Sequence, residues 1–279
     1  MNEIKQTIEA FFQLKLQDLV QLKDAREWFD RFITLLDQGK ARAAEKIDGT
    51  WQVNGWVKKG ILVGFRLGEL EEMKLNGFPF YDKGTYPIKD IQLQDNVRIV
   101  PGGTSIRKGC FVATGVILMP PCYVNVGAYV DEGTMLDSHS LVGSCAQIGK
   151  NCHISAAAQI GGVLEPINAN PVIIEDNVIV GGNCGIYEGV RIEANAILAS
   201  GVILTSSTRV FDLVHQKVIG DKNSSVVIPK NAVVVPGSRP ATGSFAEKNQ
   251  IHLYTPVIVK YRDEKSDAKT ALEEALRKI

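Results

Sequence analysis

Five cysteines and four histidines are the side chains of this 279-residue chain best suited to nucleophilic or metal chemistry, and their spacing decides what they can do. A reactive thiolate needs a base or a cation beside it, and a zinc site needs a converging set of His, Cys or carboxylate ligands. The cysteines fit neither pattern. Cys110, Cys122 and Cys152 are separated by multiples of six, Cys184 likewise stands two residues ahead of an aliphatic residue, only Cys145 stands apart, and no C-x-x-C pair occurs. That placement reads as small buried residues, and an odd count argues against a disulfide framework. His139 and His153 lie in the same periodic stretch whereas His215 and His252 lie outside it, so three converging imidazoles, and with them a metal, are not expected.

The elements that must position any site follow from that period. An aliphatic residue returns at every sixth position: Val100, Ile106, Val112, Leu118, Val124, Val130, Leu136, Val142, Ile148, Ile154 and Ile160. Two residues ahead of each from Ile106 onward stands something small or slim, from Thr104 and Cys110 through Ala146, Cys152 and Ala158. Neither a helix nor an ordinary strand has a period of six. It is the signature of a parallel β-helix of hexapeptide repeats, a prism in which three hexads make one coil and the aliphatic and its small neighbour point inward.

The register breaks after Ile160, resumes at Ile174 and continues through Val180, Ile186, Ile192, Leu198, Leu204 and Val210. Residues 161–172 must therefore leave the coil as a loop, and 211–226, before Ile228 and Val234, form a second excursion. The expected division is an N-terminal helical domain over 1–90, the β-helix over 91–238 and a C-terminal β/α extension over 239–279. In the first, Ile4, Ile8, Phe11 and Phe12 share one apolar face and Trp28, Phe29, Phe32, Ile33, Leu35 and Leu36 another, with Asp24 and Glu27 spaced as a capping box and Gly39 as a stop. A turn is expected at Asp48–Gly49 and a short helix after Asn54, and these elements are expected to cap the open end of the prism. Beyond Pro236, GSRPATGSFAEKNQ reads as a loop, IHLYTPVIVKYR as β structure covering the other end, and EKSDAKTALEEALRKI as helix.

A net charge of zero argues against nucleic acid or an anionic membrane as the main partner, and 45% hydrophobic with 22% charged residues describe a well-packed chain. No run long enough to span a bilayer appears, and MNEIKQTIEA lacks the apolar core of a signal peptide, so a cytoplasmic location is expected.

Two stretches carry a resemblance to a known family. PPCYVNVGAYVDEGTMLDSHSLVGSCAQIGKNCHISAAAQIGGVLEPINANPVIIEDN, over 120–177, and LLDQGKARAAEKIDGTWQVNGWVKKGILVGFRL, over 35–67, resemble the tetrahydrodipicolinate N-succinyltransferases of diaminopimelate and lysine biosynthesis. The resemblance implies a left-handed β-helix, a homotrimer with acyl-CoA sites between neighbouring prisms, a small dicarboxylate acceptor, and succinyl-CoA as co-substrate. An amine that attacks a thioester must be neutral, whereas a free α-amino group is mostly protonated near pH 7, so a nearby group must accept a proton.

The resemblance assigns that neighbourhood to Asp137, in GTMLDSHS, as the acceptor-contacting residue and candidate base; composition alone allows a solvated corner Asp. Arg98, in NVRIVPGG, matches the substrate arginine, suited to one carboxylate of the acceptor, with a surface Arg as the alternative. Gly161 and Gly162 would let a thioester approach backbone N–H groups, or simply make a turn, and Gly201 and Arg209 are further acyl-CoA candidates from the late coils. Two departures stand out. Asn183 and Gly185 occupy positions where the resemblance expects Arg and Glu, the Glu being close to the acceptor amine; Glu188 remains as a second candidate. His139 replaces an expected Trp and is another candidate base. An acetyl-CoA donor is the alternative that these departures raise, and a non-catalytic or metal-dependent trimer is the remote one.

Overall fold

The computed structural model describes residues 1–75, 78–220 and 226–262. Its centre is a three-faced prism of two-residue strands. The first face contains Arg98–Ile99, Ile117–Leu118, Met135–Leu136, His153–Ile154, Ile179–Val180 and Ile197–Leu198. The second contains Ser105–Ile106, Tyr123–Val124, Leu141–Val142, Gln159–Ile160, Gly185–Ile186 and Ile203–Leu204. The third contains Phe111–Val112, Tyr129–Val130, Gln147–Ile148, Ile173–Ile174, Arg191–Ile192 and Val227–Ile228. Strands within a face pair in parallel with identical residue parity, as Leu136 does with Leu118 and Ile154, so every inward aliphatic stacks on another. Leu118, Leu136, Ile148, Ile154 and Ile160 are fully buried, and each such side chain stabilises the fold by about 1.5–3 kcal/mol relative to exposure.

The corners explain the polar residues between the hexads. At the edge joining the third face to the first, Asn151, Asn177, Asn195 and Asn231 all have positive φ (52°, 59°, 63° and 65°), and each donates its N–H to the corner of the preceding coil. Asn tolerates this left-handed conformation better than other side-chain-bearing residues, which is why it recurs there. The period of six thus records two demands at once, an apolar interior and a sharp corner.

The register departs from expectation at both ends. Ile99, not Val100, pairs with Leu118, because the corner of the open first coil, residues 100–104, is one residue longer than a corner such as 119–122. Val210 is buried in the core, but it lies outside the third face: Val210–Asp212 pairs with Lys217–Ile219 and His252–Tyr261, and Val227–Ile228 completes the coil. The second excursion therefore begins directly after Leu204.

The N-terminal region carries α1 (Asn2–Gln13), α2 (Leu16–Leu19), α3 (Ala25–Asp37) and α4 (Gly55–Leu67), with two hairpins, Ala44–Ile47 with Thr50–Val53 and Leu70–Leu75 with Phe78–Lys83. Asp48 and Gly49 turn the first hairpin with φ of 48° and 78°, as the D-G pair implied. The helix expected to be short after Asn54 runs for 13 residues. Asp24 does not cap α3; its carboxylate accepts the indole N–H of Trp28 at 3.2 Å. Nor do these elements cap the prism's end. They lie along its side, where Phe29, Phe32, Ile33, Trp56 and Ile61 share one core with Val126 and Cys145. Arg42 stacks 3.6 Å above the Tyr129 ring and donates to Gln147, while Trp51 and Lys46 both donate to Glu175 at 2.7 and 2.9 Å. The bulky outward residues of the third face are there to meet this domain.

At the other end the strand Ala232–Pro240 continues into the first residues of the stretch expected to be loop, and a short α5 (Ser244–Lys248) precedes the return strand His252–Tyr261. Ile258 closes the core. The expected C-terminal helix lies outside the described residues.

Candidate active site

Each candidate residue sits where the prism's geometry sends it. Asp137 follows inward Leu136 and begins the corner between the first and second faces in the third coil. Its N–H donates to the Ile154 carbonyl at 2.8 Å, and its Oδ1 accepts the Ser138 N–H at 2.7 Å, which fixes the carboxylate while leaving the second oxygen for another partner. Among the described residues Asp137 has no ion-pair partner. His139 occupies the left-handed position of the same corner with φ of 62°, donates its N–H to Pro121, and exposes its imidazole. No hydrogen bond joins the two side chains among the described residues. Gly201 holds the equivalent corner position in the sixth coil with φ of 79°. Arg98 is exposed on the first face, in the row that continues through Ile117 and Met135, two coils below the Asp137 corner and so about 10 Å from it along the axis.

The remaining candidates lie at the other edge of the second face. Glu188 is exposed at the corner leading to the third face in the fifth coil and accepts the Ser206 hydroxyl at 3.3 Å. Gly161 and Gly162 open the 161–172 loop at that edge, with Gly161 donating to Ile186 at 2.7 Å. The exposed Arg209 leaves from the same edge in the sixth coil, its carbonyl accepting the Thr255 hydroxyl at 2.8 Å. A single chain therefore holds Arg98, Asp137, His139 and Gly201 on one side of its second face and Glu188, Gly161, Gly162 and Arg209 on the other.

Three groups went unread in the sequence. Lys58, fully buried on α4, donates its ammonium to the Ala169 carbonyl and so ties the 161–172 loop to the N-terminal domain; burial lowers its pKa. Tyr187 lies over Gly185 and Gly161. The buried Asp212 accepts the backbone N–H groups of Val214 and His215, the Nδ1 of His215 at 2.9 Å and the Tyr261 hydroxyl at 2.8 Å, in the second excursion. None shows a periodic signal, since each depends on segments far apart in the chain.

The cysteines are buried, as the spacing of Cys110, Cys122, Cys152 and Cys184 implied. All five are free and buried. Cys145, although outside the inward slots, is covered by the N-terminal domain, and burial pushes its thiol up to about 12, as it does that of Cys110. No group of three or more metal-ligating side chains occurs among the described residues.

Residues 3–67 match the family model described as tetrahydrodipicolinate N-succinyltransferase N-terminal, and residues 171–206 that described as hexapeptide repeat of succinyl-transferase. Relatives named 2,3,4,5-tetrahydropyridine-2,6-dicarboxylate N-succinyltransferase match over nine-tenths or more of either chain. That of Idiomarina loihiensis is 40% identical over 284 residues, 99% of either chain. That of Paraburkholderia phymatum is 45% identical over 260 residues, 91% of this chain and 90% of its own, and that of Acinetobacter baylyi 42% over 258 residues with the same shares.

Proposed function

The chain belongs to the tetrahydrodipicolinate N-succinyltransferase family, and on that premise we propose that it transfers succinyl from succinyl-CoA to the amino group of tetrahydrodipicolinate, or of its ring-opened 2-amino-6-ketopimelate form, in diaminopimelate and lysine synthesis. The observation that carries this reading is family identity along the whole chain, coupled to a half-exposed carboxylate at a prism edge with one oxygen unpaired, Asp137. The acceptor nitrogen attacks the thioester carbonyl, and Asp137 orients the amine and takes its proton. Arg98 binds a carboxylate of the acceptor through its planar guanidinium. Gly161 and Gly162 begin the loop on the thioester's path, although the room left by their missing side chains is taken by the Tyr187 ring and the Gly143–Ser144 backbone of the same chain. Gly201 and Arg209 lie further along the acyl-CoA path.

Because these groups lie on two edges of one face, the reading includes a homotrimer of left-handed prisms in which the edge of one chain meets that of the next. The reading gives nucleic acid and anionic membrane no part, since the net charge is zero. The proposed location is the cytoplasm, where acyl-CoA is made and used.

Acetyl-CoA is the second donor to consider, because Gly185 and Asn183 depart from the pattern around the acceptor. A thiol-release assay with L-2-aminopimelate or the cyclic acceptor separates the two. A strong preference for succinyl-CoA supports the reading, and a preference for acetyl-CoA overturns its choice of donor.

A further inference from the structure

The outward row of the second face runs Tyr123, Leu141, Gln159, Gly185, Ile203, each residue paired with the next across one coil. At the fifth coil this row lacks a side chain, and the ring of Tyr187 takes the space. A Cβ on Gly185 would lie 2.6 Å from the Tyr187 ring and 2.9 Å from its hydroxyl oxygen, and a Cβ on Gly161, one coil below, would lie 3.0 Å from the ring's other side. Any side chain of the L series at 185 would displace the ring. Two glycines from separate coils thus open a slot that one aromatic ring fills.

The slot leaves the phenol's polar end without a task inside the protein. Among the described residues the Tyr187 hydroxyl has no hydrogen-bond partner, and the residue is half-exposed. Its backbone follows inward Ile186 at the same edge as Gly161 and Glu188, and its ring reaches back over Gly185 on the second face. Gly161 borders its ring on one side, and the neighbouring Gln159 donates its amide to the carbonyls of His139 and Ala157 on the other, both at 3.2 Å. A donor whose ring is fixed and whose O–H is spare costs little reorganisation when charge develops in front of it.

Resting on the acyl-transfer reading above, we infer that Tyr187 is a catalytic residue whose hydroxyl donates to the thioester carbonyl oxygen as that oxygen becomes negative. The amine lone pair forms the new C–N bond, and the carbonyl π pair moves onto oxygen, where the Tyr187 O–H holds it without giving up its proton. The ammonium proton of the adduct passes to Asp137. When the oxyanion collapses, the C–S bond breaks, its pair leaves on sulfur, and the CoA thiolate takes the proton back from Asp137. The products are an amide and free CoA, and Tyr187 ends as it began.

Tyr187→Phe keeps the ring in its slot and removes only the donor. An oxyanion donor contributes roughly 10² to 10³ in rate, so kcat should fall by about that factor while KM for both substrates and the melting temperature stay near wild type. Gly185→Ala, which pushes the ring away, should cost a similar factor in the wild type and little more in the Tyr187→Phe background. The variants are assayed with whichever acyl-CoA the wild type uses. An active wild type matched by Tyr187→Phe, or a Gly185→Ala loss undiminished in the Phe background, overturns the inference alone. A wild type inactive with both donors overturns the acyl-transfer reading and this inference with it.

Discussion

Asp137 and Glu188 stand at opposite edges of the second face, in the third and fifth coils of the prism. The carboxylate expected nearer the acceptor is absent at 185, and the Tyr187 ring fills its place. Asp137 is thus left as the anchored carboxylate on the edge that borders the first face and Arg98's row, and it should carry most of the proton transfer. Asp137→Asn is expected to lower kcat/KM by about 10² to 10⁴, with acyl-CoA binding nearly intact. Glu188→Gln and His139→Gln should each cost much less. If His139→Gln instead abolishes turnover while Asp137→Asn only weakens acceptor binding, the role of base passes to His139.

Transfer should be direct, without an acyl-enzyme. Cys145 has the one thiol outside the inward slots, yet it is covered by α4 and its neighbours, and burial holds it protonated with a pKa of about 12. A thiol in that state is a poor nucleophile at neutral pH. Cys145→Ala is expected to keep most of the activity. Mass spectrometry that traps an acyl thioester on Cys145 during turnover would refute direct transfer.

The Asp212 cluster should shape stability at both ends of the pH range. Burial acts to raise the Asp212 carboxyl, but the His215 N–H, the His215 imidazole and the Tyr261 hydroxyl outweigh it and hold the group below the usual carboxylate range. A carboxyl depressed on folding adds stability above its unfolded pKa, near 4, and loses it as pH falls through the folded value. Tyr261 behaves oppositely: burial, then its bond to Asp212, pushes it up to about 12, so its contribution is full below about pH 10 and is lost as pH rises toward 12. Asp212→Asn should cost about 1–3 kcal/mol at neutral pH and flatten the acid side of a calorimetric stability profile. Tyr261→Phe should flatten the alkaline side. A wild-type profile unchanged by either substitution would remove this account of the cluster.

The β-helix was legible because one residue type is demanded at one spacing: a narrow prism has room for an aliphatic and a small neighbour in each hexad and for little else. Leu136 and Cys152 could be assigned inward from spacing alone, and both are fully buried. The docking side of the N-terminal domain was not read, although a signal existed. Phe111, Tyr129 and Gln147 form a bulky outward row on the third face, larger than a solvated face needs, and Phe111 and Tyr129 lie against Gly39 just after α3. Tyr187 could not be read at all, since its slot exists only once Gly161 and Gly185 are brought to adjacent coils. Period-six logic also failed at Val100 and Val210, where the first coil is open and the last is interrupted.

The separation of the candidates between two edges leads to the last prediction, a trimer with sites completed between chains. Within one prism the second face lies between the Asp137 edge and the Gly161 edge, so a site that needs both requires a neighbour to supply one of them. The small residues Gly143, Gly149 and Gly181, expected to admit a neighbour, instead let the next coil of the same chain pass close, since a Cβ on each would meet that coil within 2.5 Å, so the case for a shared site rests on the edges themselves. Asp137→Asn damages one edge; Gly161→Val, which collides with Tyr187, damages the other. If each site combines one edge from each of two chains, an equal mixture of the two variants assembled together has intact pairs at about a quarter of its interfaces, and should recover about that share of wild-type activity from nearly inactive parents. Chains that carry whole sites alone would show no recovery beyond the mean of the parents, and light scattering that finds a fully active monomer would independently rule out the trimer.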